Sequence, residues 1–192
     1  MYREQYKTYI DLLASRLSQK RFVHSMNVAK AAVQLTQRYG GDSEKAYLAG
    51  VLHDIMKEEK PETQLQTIKE CGIIIDTVTF QGRPLWHAKA GAAYCKTALG
   101  ITDQDLLNAI SYHTTGRAGM SHLEKILYLA DYIGEERDYE DVEIMRAETL
   151  CSMERGLRYA LRFTINDLVS RGKAVHLDTV RAYNEYGKDS GE

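Results

Sequence analysis

His53 and Asp54 stand side by side in VLHDIMK, with Lys57 close behind. An imidazole beside a carboxylate can be a salt link, a proton-transfer pair or half of a metal site, and the dipeptide alone leaves all three open. Two other residues bear on the choice. His24 lies within RFVHSMNVAKAA, on a helical face shared with Val28, Ala31 and Leu35 at steps of three or four. Taken singly, it reads as a satisfied core histidine. Asp131 sits in YLADYIG, near Leu127, Leu129, Ala130 and Ile133. A carboxylate in such company needs a cation, a donor or a metal, and its plain alternative is a salt bridge between helices. Together the four offer two imidazole nitrogens and two carboxylate oxygens from three separate helices. That set suits iron, manganese, cobalt or zinc, and an octahedral ion so held keeps positions open for water and substrate. A metal there would lower the pKa of a bound water and polarise a phosphoryl oxygen.

Further polar residues suggest what such a metal would act on. Arg83 lies four residues before His87 in GRPLWHAKAGA; His113 ends a helix in ISYHTTG and is followed by Thr114; Arg137 comes shortly after Asp131 in IGEER. With Lys57, these could hold the oxygens of a polyphosphate and give a proton to a departing phosphate. Each has a plainer reading. Lys57 and Arg137 can be solvated charges, and His87 can simply pack beside Trp86. His122, next to Ser121, reads as exposed and idle.

The elements that must position these residues are helices. The 192 residues suit one domain spanning 1–192, and 44% hydrophobic with 27% charged residues is ordinary for a globular chain. A net charge of −2 gives no general electrostatic hold on nucleic acid or an anionic membrane. Cys71, Cys95 and Cys151 form no paired motif and read as intracellular thiols; the opening segment is no secretory signal, and no apolar run reaches membrane length. The expectation is a cytoplasmic protein. Gly40-Gly41 stops the helix that carries His24, and Asp42 or Ser43 caps a second one over EKAYLAGVLHDIMK. Pro61 opens a third, ending at Cys71-Gly72; IIIDTVTF reads as a packed connector. LWHAKAGAAYCKTALG is helical, Thr102 caps DQDLLNAISYH, and Ser121 with Glu124 has capping-box spacing ahead of KILYLADYIG. Helices follow over 142–170, with a break, and 178–186. The fold class is all-α.

At this point the pattern is recognisable. His24 in RFVHSMNVA, His53-Asp54 in LAGVLHDIMK and Asp131 in ILYLADYIG together resemble the HD-domain superfamily of metal-dependent phosphohydrolases, a helical bundle. The added segments GRPLWHAKAGA, ISYHTTGRAGMSHLEKILYLADYIGEER and GKAVHLDTVRAYN are similar to one branch, the YqeK-type bacterial symmetrical bis(5′-nucleosyl)-tetraphosphatases. The likeness runs from about Arg21 to Asn184, with the motifs between 21 and 137 and C-terminal helices over 142–187. The resemblance implies hydrolysis of diadenosine tetraphosphate to two ADP, with bound iron. It implies metal ligation by His24, His53, Asp54 and Asp131. Arg83, His87, His113, Thr114 and Arg137 would face the phosphates, with Arg21 near the same site. Gly172, Lys173, Ala174, Val175, His176 and Leu177 would approach the nucleotide. The Ile55-Met56 pair departs from the family's usual residues there and bears on packing or on the reach of Lys57.

The reaction so implied is attack of a metal-bound hydroxide on an inner phosphorus, with Arg83 and Arg137 neutralising charge and His87 or His113 protonating the leaving diphosphate. Base recognition would be loose, by stacking on Tyr or Trp86. Two rivals stay open: a nucleotidase or cyclic-nucleotide phosphodiesterase of the same superfamily, and a nucleotide-sensing module without turnover. The C-terminal helices leave room for a homodimer.

Overall fold

The computed structural model describes residue 4 and residues 6–187; the ends of the expected domain, at 1–3, 5 and 188–192, lie outside the described residues. Among the described residues every regular element is a helix, as the periodicity predicts. α1 (Lys7–Arg16), α2 (Gln19–Tyr39) and α3 (Ser43–Leu52) come first, then α4 (Pro61–Glu70), α5 (Thr77–Gln81), α6 (Arg83–Thr97) and α7 (Gln104–Tyr112). α8 (His122–Ile133), α9 (Val142–Cys151), α10 (Met153–Ser170) and α11 (Leu177–Tyr186) complete the chain. α8 is the axis. It packs against α2, α3, α7, α9 and α10, and Ile126, Leu127, Tyr128, Leu129 and Ala130 are all buried along it. Among the described residues no helix is long and apolar enough to cross a membrane.

α2 carries His24 and α3 leads to His53, so their separation decides the site. Gly50 sets it. A Cβ there would lie 2.4 Å from Ala29 Cα, so only a residue without a side chain lets the two backbones meet. Packing forces this glycine rather than any special φ.

Three local expectations are corrected. α3 ends at Leu52, not at Lys57. Beyond it the chain closes on shorter bonds: Ile55 N–H donates to Leu52 O (3.1 Å) and Lys57 N–H to Asp54 O (2.8 Å). Ile55 and Met56 are nonetheless buried, which is why the apolar pattern runs past the helix end. The departure at this pair is therefore absorbed in the core. The connector IIIDTVTF is only partly packed. Ile73 and Ile75 meet the core, Ile74 is 97% exposed, and Thr77–Gln81 is a helix because Asp76 Oδ1 accepts from Thr79 N–H at 3.0 Å. Asp103 rather than Thr102 caps α7, accepting from the Asp105 and Leu106 N–H groups. Elsewhere the signals hold: Asp42 caps α3, Ser121 and Glu124 form a full capping box on α8, and the break before α10 is at Ser152. After α7, Gly116 takes φ 60°, the left-handed region that favours glycine, and turns the chain away just past His113.

Candidate active site

His53 and His113 follow α3 and α7 directly, each the first residue past its helix. Each turns its Nδ1–H back to the carbonyl three residues earlier, Gly50 O and Ile110 O respectively, both at 2.7 Å. That bond leaves Nε2 as a bare lone pair facing inward. His24, in mid-α2, does the same through Glu136: Nδ1 contacts Oε1 of that carboxylate. Two imidazoles thus present acceptor nitrogens to one buried volume, and His24 turns the same nitrogen toward it.

The carboxylates close it. His24 Nε2 lies 3.1 Å from Asp131 Oδ1 and 3.8 Å from Asp54 Oδ2. His53 Nε2 lies 3.3 Å from His24 Nε2 and 3.6 Å from Asp54 Oδ2. Ligands at about 2.0–2.1 Å from one ion stand roughly 3–3.5 Å apart, so these spacings suit a shared cation. Two overlapping groups, His24–His53–Asp131 and His53–Asp54–His113, keep their ligand atoms within 4.8 Å of one another. Asp54 Oδ1, buried, makes no hydrogen bond among the described residues. Facing lone pairs and an unsatisfied carboxylate oxygen are costly unless a cation sits among them. The donor set fits a transition metal.

Charge follows burial and partners. Complete burial pushes His53 down to about 3, and burial outweighs Asp54 to bring His87 to about 4. Burial would lower His24 as well, but hydrogen bonds with Asp131 and Glu136 outweigh it and raise the ring to about 9. Burial opposes ionisation of Asp54 and Asp131; the charged groups beside them, Lys57 near the first and His24 with Arg137 near the second, win and hold both well below the usual carboxylate range. Three cations ring the cluster. Arg21 Nη1 is 3.1 Å from Asp54 Oδ2, Lys57 Nζ 3.8 Å from Asp54 Oδ1, and Arg137 binds the Asp131 carboxylate and, through Nε at 2.7 Å, its carbonyl. Beside them opens a cavity of about 330 Å³ whose lining includes His113, Thr114, Arg137, Tyr132, Tyr139 and Phe163. The Tyr139 and Phe163 rings are 5.0 Å apart.

Comparison with known proteins fits this geometry. The HD domain family matches residues 21–135. A symmetrical bis(5′-nucleosyl)-tetraphosphatase of Halalkalibacterium halodurans is 35% identical over 92% of this chain and 94% of its own. One of Bacillus subtilis is 34% identical over 88% and 90%. A Clostridium acetobutylicum crystal structure, described as a "predicted HD superfamily hydrolase involved in NAD metabolism", superposes with a TM-score of 0.90 at 36% identity, over 93% of this chain and 95% of that one. The chain belongs to the HD-domain family.

Seen as an HD domain, the structure brings most of the expected residues together. His24, His53, Asp54 and Asp131 converge, with Arg21, Lys57 and Arg137 on the carboxylates. His87 Nε2 is 3.1 Å from Asp54 Oδ1 and 3.2 Å from His113 Nε2, so both histidines are part of the cluster. Thr114 lines the cavity. Arg83 is exposed, without an ion pair among the described residues, one turn before His87 on α6. The 172–177 run links α10 to α11 without a hydrogen bond to the cluster. Its one buried member, His176, binds Asp76 Oδ2 (2.7 Å) and Thr79 Oγ1 (3.0 Å). Trp86 is buried with its N–H on Thr79 O (2.7 Å), so it offers no face for stacking. His122 is exposed, as expected, but not idle, since Nε2 meets Gly40 O at 2.9 Å. The sequence reading missed Glu136, Asn27 and the Tyr132–Tyr139–Phe163 wall. Asn27, at i+3 from His24, was legible from helical spacing; Glu136, in a loop beside Glu135, was not.

An HD site of this kind should bind metal in competition with protons. His24 must shed a proton before Nε2 can take a cation, and with its pKa raised to about 9 that proton is held below this pH. Apparent affinity for a divalent metal is therefore expected to fall about tenfold for each pH unit below about 9. Chelator competition from neutral pH upward measures it. A flat profile would remove His24 from the ligand set.

Proposed function

We propose that this chain is a metal-dependent hydrolase that splits dinucleoside tetraphosphates at the centre of the bridge, taking diadenosine tetraphosphate to two ADP. The observation that carries the reading is one buried His/Asp cluster ringed by three cations and opening onto an aromatic cavity. His24 Nε2, His53 Nε2, Asp54 Oδ2 and Asp131 Oδ1 would hold the metal, for which we propose iron; manganese, cobalt and zinc suit the same donors. When bound, the metal supplies Lewis acidity and lowers the pKa of water.

The side chains do the rest. Arg21 and Lys57 carry positive charge on the Asp54 side and Arg137 on the Asp131 side, so a run of phosphates crossing the cluster meets a cation at either end. Arg137 still has N–H groups beyond those spent on Asp131, and it lines the cavity with Thr114. A purine base fits against Tyr139 and Phe163, with the phosphates then reaching the metal ligand Asp131. For the leaving diphosphate, His113 is the poorer candidate, because its Nδ1–H is already on Ile110 O. Lys57 Nζ, 3.1 Å from His87 Nε2, carries the protons, so the pair Lys57–His87 is the assigned donor.

The test is product analysis on metal-loaded protein given diadenosine tetraphosphate. ADP alone, lost on chelation, is the expected result. ATP with AMP would overturn the symmetrical cut. Phosphate release from nucleoside monophosphates, with the dinucleotide untouched, would make the protein a nucleotidase.

A further inference from the structure

We propose that Glu136 is the positioning residue of the metal centre, fixing His24 and setting how tightly and at what potential the metal is held. The inference rests on the metal reading above and adds a residue outside the ligand set.

The partners of the three inward-facing imidazoles differ. His53 and His113 spend Nδ1–H on neutral backbone carbonyls, Gly50 O and Ile110 O. His24 alone of these three spends it on a carboxylate. An imidazole backed by an anion is a stronger donor through its far nitrogen, and its ring orientation is fixed as well. Of the three, His24 is therefore the ligand whose electron density this protein enriches.

Glu136 is itself held. Its second oxygen accepts from Asn27 Nδ2 at 2.9 Å, and Asn27 is on the same face of α2 as His24. The loop after α8 is strapped from behind by Arg146 of α9, which donates to Gly134 O (2.7 Å), Arg137 O (3.1 Å) and Ile133 O (3.3 Å). The next residue, Arg137, grips Asp131. Two adjacent loop residues of opposite charge thus each fix one ligand, from α2 and from α8. The loop acts as a clamp on the centre.

Gly134 supplies an independent handle. Its backbone is extended (φ −44°, ψ 146°), a conformation open to any residue. A Cβ there would nonetheless come 2.9 Å and 3.0 Å from the two Glu136 carboxylate oxygens. Gly134→Ala should displace Glu136 while leaving every ligand and every charge in place.

The experiment titrates metal-free wild type, Glu136→Gln and Gly134→Ala with Mn(II) against a competing chelator over a range of pH, compares the limiting affinities reached at high pH where protons no longer compete, and measures the Fe(III)/Fe(II) potential of iron-loaded protein. Circular dichroism and urea unfolding check the fold. Glu136→Gln is expected to bind metal about 10- to 100-fold more weakly and to shift the potential positive, because an anion that favours Fe(III) is gone. Gly134→Ala is expected to weaken binding with a smaller shift, since the charge remains. Wild-type affinity and potential in folded Glu136→Gln would overturn the proposal. If that variant fails to fold, unchanged affinity in Gly134→Ala does the same. Wild type that binds no metal would overturn the metal reading itself, a distinct result.

Discussion

Asp54→Asn protein is expected to lose both its bound metal and its turnover, with kcat for diadenosine tetraphosphate falling at least ~10³-fold, about 4 kcal/mol of barrier. The size follows from what Asp54 touches. Oδ2 faces His24, His53 and Arg21, at 3.8, 3.6 and 3.1 Å. Oδ1 faces His87 and His113, at 3.1 and 3.6 Å. No other carboxylate reaches both sides of this cluster among the described residues. An amide keeps the shape but removes the negative charge that a bound cation requires, and it points N–H groups where an acceptor stood. Metal analysis and steady-state kinetics on the same preparation measure both losses. Stability must be read beside them, because Arg21 and Lys57 lose their counter-charge. Unchanged turnover in a well-folded, metal-free Asp54→Asn protein would sink the assignment.

Phe163→Ala tests the other half of the proposed site, the aromatic wall to which we assign the base. Stacking of a base on an aromatic ring contributes about 1–3 kcal/mol, so KM for diadenosine tetraphosphate is expected to rise roughly 10- to 100-fold. kcat should barely change, since a ring remote from the phosphates binds ground state and transition state alike. Phe163 is the ring to remove because Tyr139 (5.0 Å) and Tyr132 (6.3 Å) both pack on it. Tyr139→Phe is the control, losing only a hydroxyl bond to Tyr132 O. An unchanged KM in Phe163→Ala would place the base elsewhere.

What the sequence made legible was the part written in regular spacing. His24 shares its face with Val28, Ala31 and Leu35, all buried, and the capping box at Ser121 fixes where α8 begins. Helical period and cap chemistry thus located the helices of two of the four proposed ligands, His24 and Asp131. The HD dipeptide was visible, yet the end of its helix was not, because Ile55 and Met56 continue the apolar pattern through turns. The cavity was hidden for another reason. Tyr132, Tyr139 and Phe163 come from α8, a loop and α10, and nothing local in a sequence tells which aromatics meet. Glu136 fell to the same limit, since its role depends on a contact with a residue 112 positions away.

The bonds from His53 to Gly50 O and from His113 to Ile110 O have a consequence for how the protein can change. Each satisfies a carbonyl that the end of a helix would otherwise leave without a partner, and each also decides which nitrogen faces the His/Asp cluster. Termination of the helix and the aim of the imidazole are one hydrogen bond. A helix turns about 100° per residue, so adding or deleting one residue within α3 or α7 would swing the ring out of the site even if the histidine were kept. Lengths of these two helices are therefore fixed by chemistry. Insertions are expected to be tolerated instead in the exposed run at 172–174, which ends no helix on a ring of this cluster.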